Sequence, residues 1–490
     1  MQGMRAGPRL LASLLAAAAL PALAGCRKPE TGPVDVVAIG GPPQLVNPNR
    51  VPLDAGTGFL LSAAAQGLVR FDAAGEIEPA LAQRWTVSDD GLRYTFRLAR
   101  LQWPAGGRIT ASQVVPRLRA AASASSLNPV KPILGAIQEI EAMTDEVLEI
   151  TLKSPRPGFL QLLAQPEMAV LRKDSGSGPY QVFPVESGGI ELRLPPRNEE
   201  DEDEQPAPEP PLILHGARAA MAVVRFMDGN ADLVIGGTVA DLPIAQAGGA
   251  PANSLVFDPV GGLFGLSFGS VEGVLGQAEA RQALAMAIDR AALVSALRVP
   301  ALQPRETILT PGTEGIAQAA APGWTALPFA QRRALAASTL SRLSPERLRL
   351  RVALPEGPGW RLVFAFLRRD WAAVGVDAVR VAADAPAELR LIDEVAPVTL
   401  ASWYLRHFAC NASRVCDAAA DVLLANARVA PTPGERRALL GAADRIITDA
   451  APFIPLAAPV RWSLVTQRLT GFRPNRFGRH SAGELIRRTP

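Results

Sequence analysis

The chain has 490 residues, with 50 Lys plus Arg against 47 Asp plus Glu, a formal charge of +3, and 48% hydrophobic residues. That length and apolar share support one or more large cores, which excludes a disordered chain or a small disulfide-dependent scaffold. The basic residues are scattered, so no continuous cationic surface argues for nucleic acid, and the expected partner is small or neutral.

At the N-terminus, Arg5 and Arg9 precede an apolar run over residues 10–23. The run is short for a membrane span of about 20 residues and reads as a secretory signal. It ends in Leu23-Ala24-Gly25-Cys26, which resembles the lipobox of bacterial lipoproteins, where diacylglyceryl is attached to the Cys thiol and the chain is cut just before it. The resemblance implies a signal peptide over residues 1–25 and lipidation at Cys26, followed by a polar, Pro/Gly-containing tether over residues 26–33. No later segment approaches about 18 consecutive apolar residues, so the rest of the mature chain is expected to be soluble.

Residues 34–172 interleave strand and helix patterns. RYTFRL (93–98) alternates polar and apolar residues as a half-buried strand does, and VLEITL (147–152) reads similarly. Asp89-Asp90-Gly91 supplies a turn that pairs residues 85–87 with 94–98 as a hairpin. Residues 111–124 predict a helix with Thr110 as N-cap and Pro116 accommodated near its first turns. The acidic run 199–204 repels itself and cannot be buried, which predicts an exposed loop. Residues 276–296 have apolar positions at helical spacing, and 360–374 predict an amphipathic helix ended by Gly375 before a strand over 376–381. Helices are expected at 417–429 and 431–448, with strand character over 455–465. The mixture predicts an α/β protein of two lobes or more.

Cys410 and Cys416 are close in sequence in a chain bound for an oxidising compartment, so a disulfide is the default reading. The alternative is a metal set of His407, Cys410 and Cys416, which lacks a fourth ligand. Gly265-Leu266-Ser267-Phe268-Gly269 matches the nucleophile-elbow pattern of hydrolases, but the helix that should follow directly begins later, beyond residue 273. His407 and His480 are the histidines downstream of it, and His215 stands alone. No phosphate loop and no H-E-x-x-H zinc motif occurs in the sequence, and no catalytic activity is expected.

GLVRFD (67–72), PALAQRW (79–85) and SDDGLRYTFRL (88–98), followed in order by GSGPYQV (176–182), DGNADL (228–233), ARQALAMAIDR (280–290), RDWAAVGV (369–376) and APFIP (451–455), resemble the family 5 extracellular solute-binding proteins. These are the dipeptide, oligopeptide and nickel receptors of ABC importers. The resemblance spans essentially the whole mature chain. It implies a two-lobed periplasmic-binding-protein fold of the α/β class, with an additional subdomain on the first lobe. The expected division is 34–58, 170–268 and 460–490 for lobe I, 59–169 for its subdomain and 269–459 for lobe II. The cysteine pair also resembles one carried by dipeptide-binding members, which favours the disulfide.

The implied function is a lipid-anchored periplasmic receptor that captures short peptides in a cleft closed by hinge motion and delivers them to an ABC permease and ATPase. The alternatives are a receptor for another small solute such as a metal chelate, or a peptide-binding chaperone or sensor. A monomer with no cofactor and no metal is expected. Every peptide offers an α-ammonium and an α-carboxylate, so an acid and an Arg are the expected anchors. Arg361 is the carboxylate candidate by family position. Where similar proteins place an Asp in a Trp-x-x-Asp stretch, this chain reads Ile392-Asp393-Glu394-Val395-Ala396-Pro397, so Asp393 or Glu394 is the ammonium candidate and Trp403 joins the ligand-binding set. The departures, including Ser267-Phe268-Gly269-Ser270 in place of the usual crossover Asn, fall on ligand recognition rather than on the fold.

Overall fold

A computed structural model describes residues 32–485 except 174, 187, 196–209, 252, 311 and 484. The signal, Cys26 and nearly all of the tether lie outside the described residues, as does the acidic run.

Two sheets organise the molecule. The first has seven strands in the order Gln181–Pro184, Ile190–Arg193, Leu212–Ala217, Val34–Ile39, Leu233–Gly237, Trp462–Val465 and Leu255–Phe257. Val34–Ile39 runs parallel to both neighbours, and its Val34, Val36, Val37 and Ala38 are buried, as a strand covered on both faces requires. The second sheet has five strands, Asp377–Val381, Arg349–Ala353, Leu389–Val395, Gly262–Phe268 and Phe453–Ala457. The chain passes between the sheets at residues 258–261 and again at 458–461. These two crossings touch, because the Asp258 N–H donates to the Arg461 carbonyl at 3.0 Å.

Strand Gly262–Phe268, placed at the end of lobe I from sequence, pairs along its whole length with Leu389–Val395 in the second sheet. The boundary therefore falls at the crossing before Gly262, because seven consecutive register pairs outweigh any break after Phe268. Ser267 lies inside this strand with its hydroxyl donating to the Arg390 carbonyl at 3.3 Å, so it stands on no sharp strand-to-helix turn of the kind a nucleophile elbow needs.

A smaller four-stranded antiparallel sheet, Ala82–Val87, Arg93–Leu98, Val147–Leu152 and Ile137–Ala142, forms the subdomain. The predicted hairpin is present, with Trp85 opposite Phe96 and Val87 opposite Tyr94. Helix Ala111–Ala122 carries Pro116 at its sixth residue and buries Val114, Val115, Leu118 and Ala121. The helix before the subdomain, Ala55–Ala64, buries Phe59, Leu60, Ala63 and Ala64 against the seven-stranded sheet, so all of it belongs with lobe I and the subdomain starts after it. The subdomain core is continuous with Trp403, Tyr404, Phe408, Leu440 and Ile447 from the helices of lobe II.

The segment expected as one helix over 276–296 is two, Ala278–Met286 and Arg290–Leu297. Asp289 breaks it by capping the second helix, its carboxylate accepting from the Ala292 N–H at 2.9 Å. A third core joins the two large sheets: Val37, Val234 and Val239 of lobe I share it with Phe264, Trp360, Trp371 and Leu456 of lobe II. At this junction the N–H of Gly359, in helix Pro358–Ala372, donates to the Ala240 carbonyl at 2.9 Å. Cys410 and Cys416 are joined as a disulfide, which uses both thiols and leaves His407 without the metal partners of the alternative reading.

Candidate functional site: a cleft between the lobes

A cavity of about 850 Å³ lies where the first lobe, the subdomain and the second lobe meet. Ile39, Gly58, Ile235 and Gly236 line it from lobe I, Pro132 and Glu167 from the subdomain, and Trp403 and His407 from lobe II. Its charged walls come from a strand end and a crossing (Asp393, Glu394, Arg461), a short turn (Glu167), a helix end (Arg406) and a loop (Arg479).

Asp393 and Glu394 stand near the end of strand Leu389–Val395, and both line the cavity. Asp393 accepts from Arg461 Nη1 at 2.9 Å, and Arg461 Nη2 also donates to the Asp393 carbonyl at 3.1 Å. Arg461 sits on the second crossing, so this pair ties the crossing to the second sheet. Burial pushes the Asp393 carboxyl above its ordinary value, and Arg461 opposes that shift. Glu394 is more open and accepts from His407 Nε2 at 3.1 Å, a contact that holds its carboxyl below the usual range against some desolvation. The other ring nitrogen, Nδ1, faces the Trp403 carbonyl at 2.9 Å. Trp403 is buried in helix Ala401–Arg406, edge-on to the rings of Tyr404 and His407.

Glu167 supplies a third carboxylate. It lies in the short turn Pro166–Met168, is 5% exposed, and accepts at Oε1 from Arg479 Nη2 at 2.5 Å. Its Oε2 is buried without a donor among the described residues. Arg406 also lines the cavity and donates to the Pro132 carbonyl at 2.8 Å, with no carboxylate paired to it among the described residues.

The structure therefore brings Asp393, Glu394 and Trp403 together, and Arg361 apart from them. Arg361 is an exposed residue in the second turn of helix Pro358–Ala372 and does not line the cavity. The sequence reading missed Arg461, Arg479, Arg406 and Glu167, and considered His407 only as a metal ligand or a base. A lone Arg between two apolar strands was a usable signal for Arg461, whereas nothing local marks Glu167. Among the described residues no group of three or more metal-ligating side chains is assembled.

Two sheet-based lobes joined by paired crossings around a charged cleft define a two-lobed binding protein. The model of bacterial extracellular solute-binding proteins, family 5, matches residues 76–407, and the chain belongs to this family. Family 5 members are solute receptors rather than enzymes. The "Probable deoxycholate-binding periplasmic protein YgiS" of Escherichia coli is 31% identical over 121 residues, 21% of this chain, and the match spans only 23% of that relative's length. The "Probable di/tripeptide-binding protein 5" of Pseudomonas aeruginosa is 23% identical over 84% of this chain and 88% of that protein. The murein tripeptide binding protein MppA of Escherichia coli superposes with a TM-score of 0.78 at 19% identity, covering 92% of this chain and 97% of that one, which shows the two-lobed fold.

Proposed function

We propose that the chain is the receptor of an ABC importer, anchored in the periplasm by lipid at Cys26, and that it captures short peptides for delivery to a permease and ATPase. The observation that carries this reading is the cleft itself. About 850 Å³ walled by both lobes falls within the usual range for small-molecule sites and presents acids and bases together. A relative named for di- and tripeptides aligns over nearly the whole chain, and MppA, named for a tripeptide, shares the fold. Glu394 receives the α-ammonium, while Arg406 takes the α-carboxylate in the role first considered for Arg361. Asp393 keeps Arg461 as its partner and shapes the wall, and Trp403 holds the His407 ring that faces Glu394. The receptor acts as a monomer that closes about its ligand.

Calorimetry on the full-length protein with trialanine, its N-acetylated form and its C-terminal amide tests the assignment. Each capped form should bind roughly tenfold or more weakly, and Glu394→Gln should abolish the discrimination against the acetylated form. Equal affinity for all three forms, or no binding of any, rejects the peptide reading. Cys26→Ser should release the protein from membranes, and retention would reject the anchor.

A further inference from the structure

Beside the cleft lies a second pocket of about 370 Å³, between the subdomain and the helices of lobe II. It adjoins the main cavity, since Pro132, Ile133, Trp403, Arg406 and Asn411 line both. Four arginines wall it, Arg156, Arg406, Arg428 and Arg436, against a single carboxylate, Asp421, whose oxygens accept from the Cys410 N–H at 3.1 and 3.3 Å. Arg156 comes from the subdomain, just before helix Phe159–Leu163, and the other three from helices or helix ends of lobe II. The Nε of Arg156 is buried and meets no acceptor. Arg436 donates Nε to the Ala427 carbonyl at 3.3 Å, and Arg406 donates to Pro132, both neutral acceptors that leave the cationic charge uncompensated.

Like charges gathered in a concave wall repel one another, and a buried guanidinium donor without a partner is costly. Both costs fall when an anion enters. The Arg156 guanidinium is pushed down to about 10 by burial and by the neighbouring charges of Arg436, Arg428 and Arg406. A pocket with an excess of one sign between low-dielectric walls also concentrates oppositely charged ligands.

We infer that this pocket is an anion subsite, in which Arg156, Arg428 and Arg436 bind a carboxylate or phosphate carried on a side chain of the solute, with Arg406 left at the boundary to hold the α-carboxylate. The planar guanidinium fork suits either group. The inference rests on the peptide reading for the identity of the solute, and it makes the preferred class acidic or phosphorylated peptides. Because the wall is shared between subdomain and lobe II, an anion there bridges the two parts.

Two measurements on the full-length protein separate this inference from the peptide reading. In the first, calorimetry compares trialanine, alanyl-alanyl-glutamate and alanyl-alanyl-phosphoserine on wild type, Arg156→Gln and Arg428→Gln. The acidic peptides should bind wild type roughly tenfold or more tightly than trialanine, and each variant should shrink that preference while changing trialanine affinity by less than about twofold. Raising the salt from about 0.05 M to about 0.5 M should weaken the preference as well. In the second, thermal unfolding is followed in citrate, in phosphate and in chloride of matched ionic strength. Citrate or phosphate should raise the wild-type melting temperature by a few degrees and that of Arg156→Gln by less, the more effective anion identifying the preferred group. If no peptide binds, the peptide reading fails, and the anion-specific stabilisation still decides the subsite. Equal affinity for neutral and acidic peptides, or identical responses of wild type and both variants to the anions, overturns the inference. Arg428 is exposed, so its substitution tests the subsite without disturbing a buried contact.

Discussion

His407 stands between two acceptors, with Nε2 at 3.1 Å from the Glu394 carboxylate and Nδ1 at 2.9 Å from the Trp403 carbonyl. A neutral imidazole has only one N–H, so both contacts are satisfied only when the ring is doubly protonated or when Glu394 carries the second proton.

His407→Ala should therefore raise the Glu394 carboxyl from its lowered position, because the His407 contact is the largest cause of the lowering and the opposing desolvation remains. Carbon NMR of labelled glutamate reads this directly, and an unmoved Glu394 titration would contradict the contact. The folded-state value is depressed, so the pair stabilises the protein above the unfolded glutamate pKa and loses that contribution as pH falls through the depressed value. With Glu394 half exposed, the contribution is screened to under about 1 kcal/mol.

The Asp393–Arg461 pair behaves differently because both side chains are largely enclosed, 12% and 20% exposed. Arg461→Ala strips a buried carboxylate of its partner and should destabilise the fold by about 3–5 kcal/mol in denaturant titration. The double variant with Asp393→Ala should recover part of that loss. Additive losses would show that the two side chains do not interact.

Gly359 allows the start of its helix to lie against lobe I. A Cβ there would stand 1.6 Å from the Val239 carbonyl oxygen, a backbone atom that cannot step aside alone. Gly359→Val should hold the lobes apart, giving a larger radius of gyration in small-angle scattering and weaker ligand binding. A profile identical to wild type would mean that this contact does not limit closure.

Asp444, on helix Pro433–Ala450, is wholly buried, and burial pushes its carboxyl up to about 6. Its folded-state value lies above the unfolded one, so the native state binds the proton more tightly and stability declines as pH rises from about 4 to about 6. The decline attributable to this group is on the order of 3 kcal/mol, and Asp444→Asn should remove it. Stability curves of equal slope for the two proteins would refute the assignment.

Local patterns carried much of the architecture. The alternation in RYTFRL and VLEITL appears as paired strands, and Asp89-Asp90-Gly91 turns the hairpin where expected. The helix starting at Pro358 is also legible, since its apolar stripe of Trp360, Val363, Leu367 and Trp371 has helical spacing. The helix broken at Asp289 was missed because an N-cap inside an apolar periodic run looks like any exposed acid. The expected boundaries at 58/59 and 268/269 cut through helix Ala55–Ala64 and fall at the far end of strand Gly262–Phe268, because the packing of the one and the pairing of the other depend on partners more than a hundred residues away. The same reason explains the site. Asp393, Glu394 and Trp403 were visible as a cluster in sequence, whereas Glu167 and Arg479 meet across 312 positions and only folding brings them together.

The bond from the Asp258 N–H to the Arg461 carbonyl welds the two crossings at one point. Spans so joined flex together near that point, so the start of the opening motion is shared by both crossings. A spectroscopic ruler spanning the cleft mouth, such as a donor and acceptor dye on opposite lobes, therefore reads the bending that both crossings undergo together.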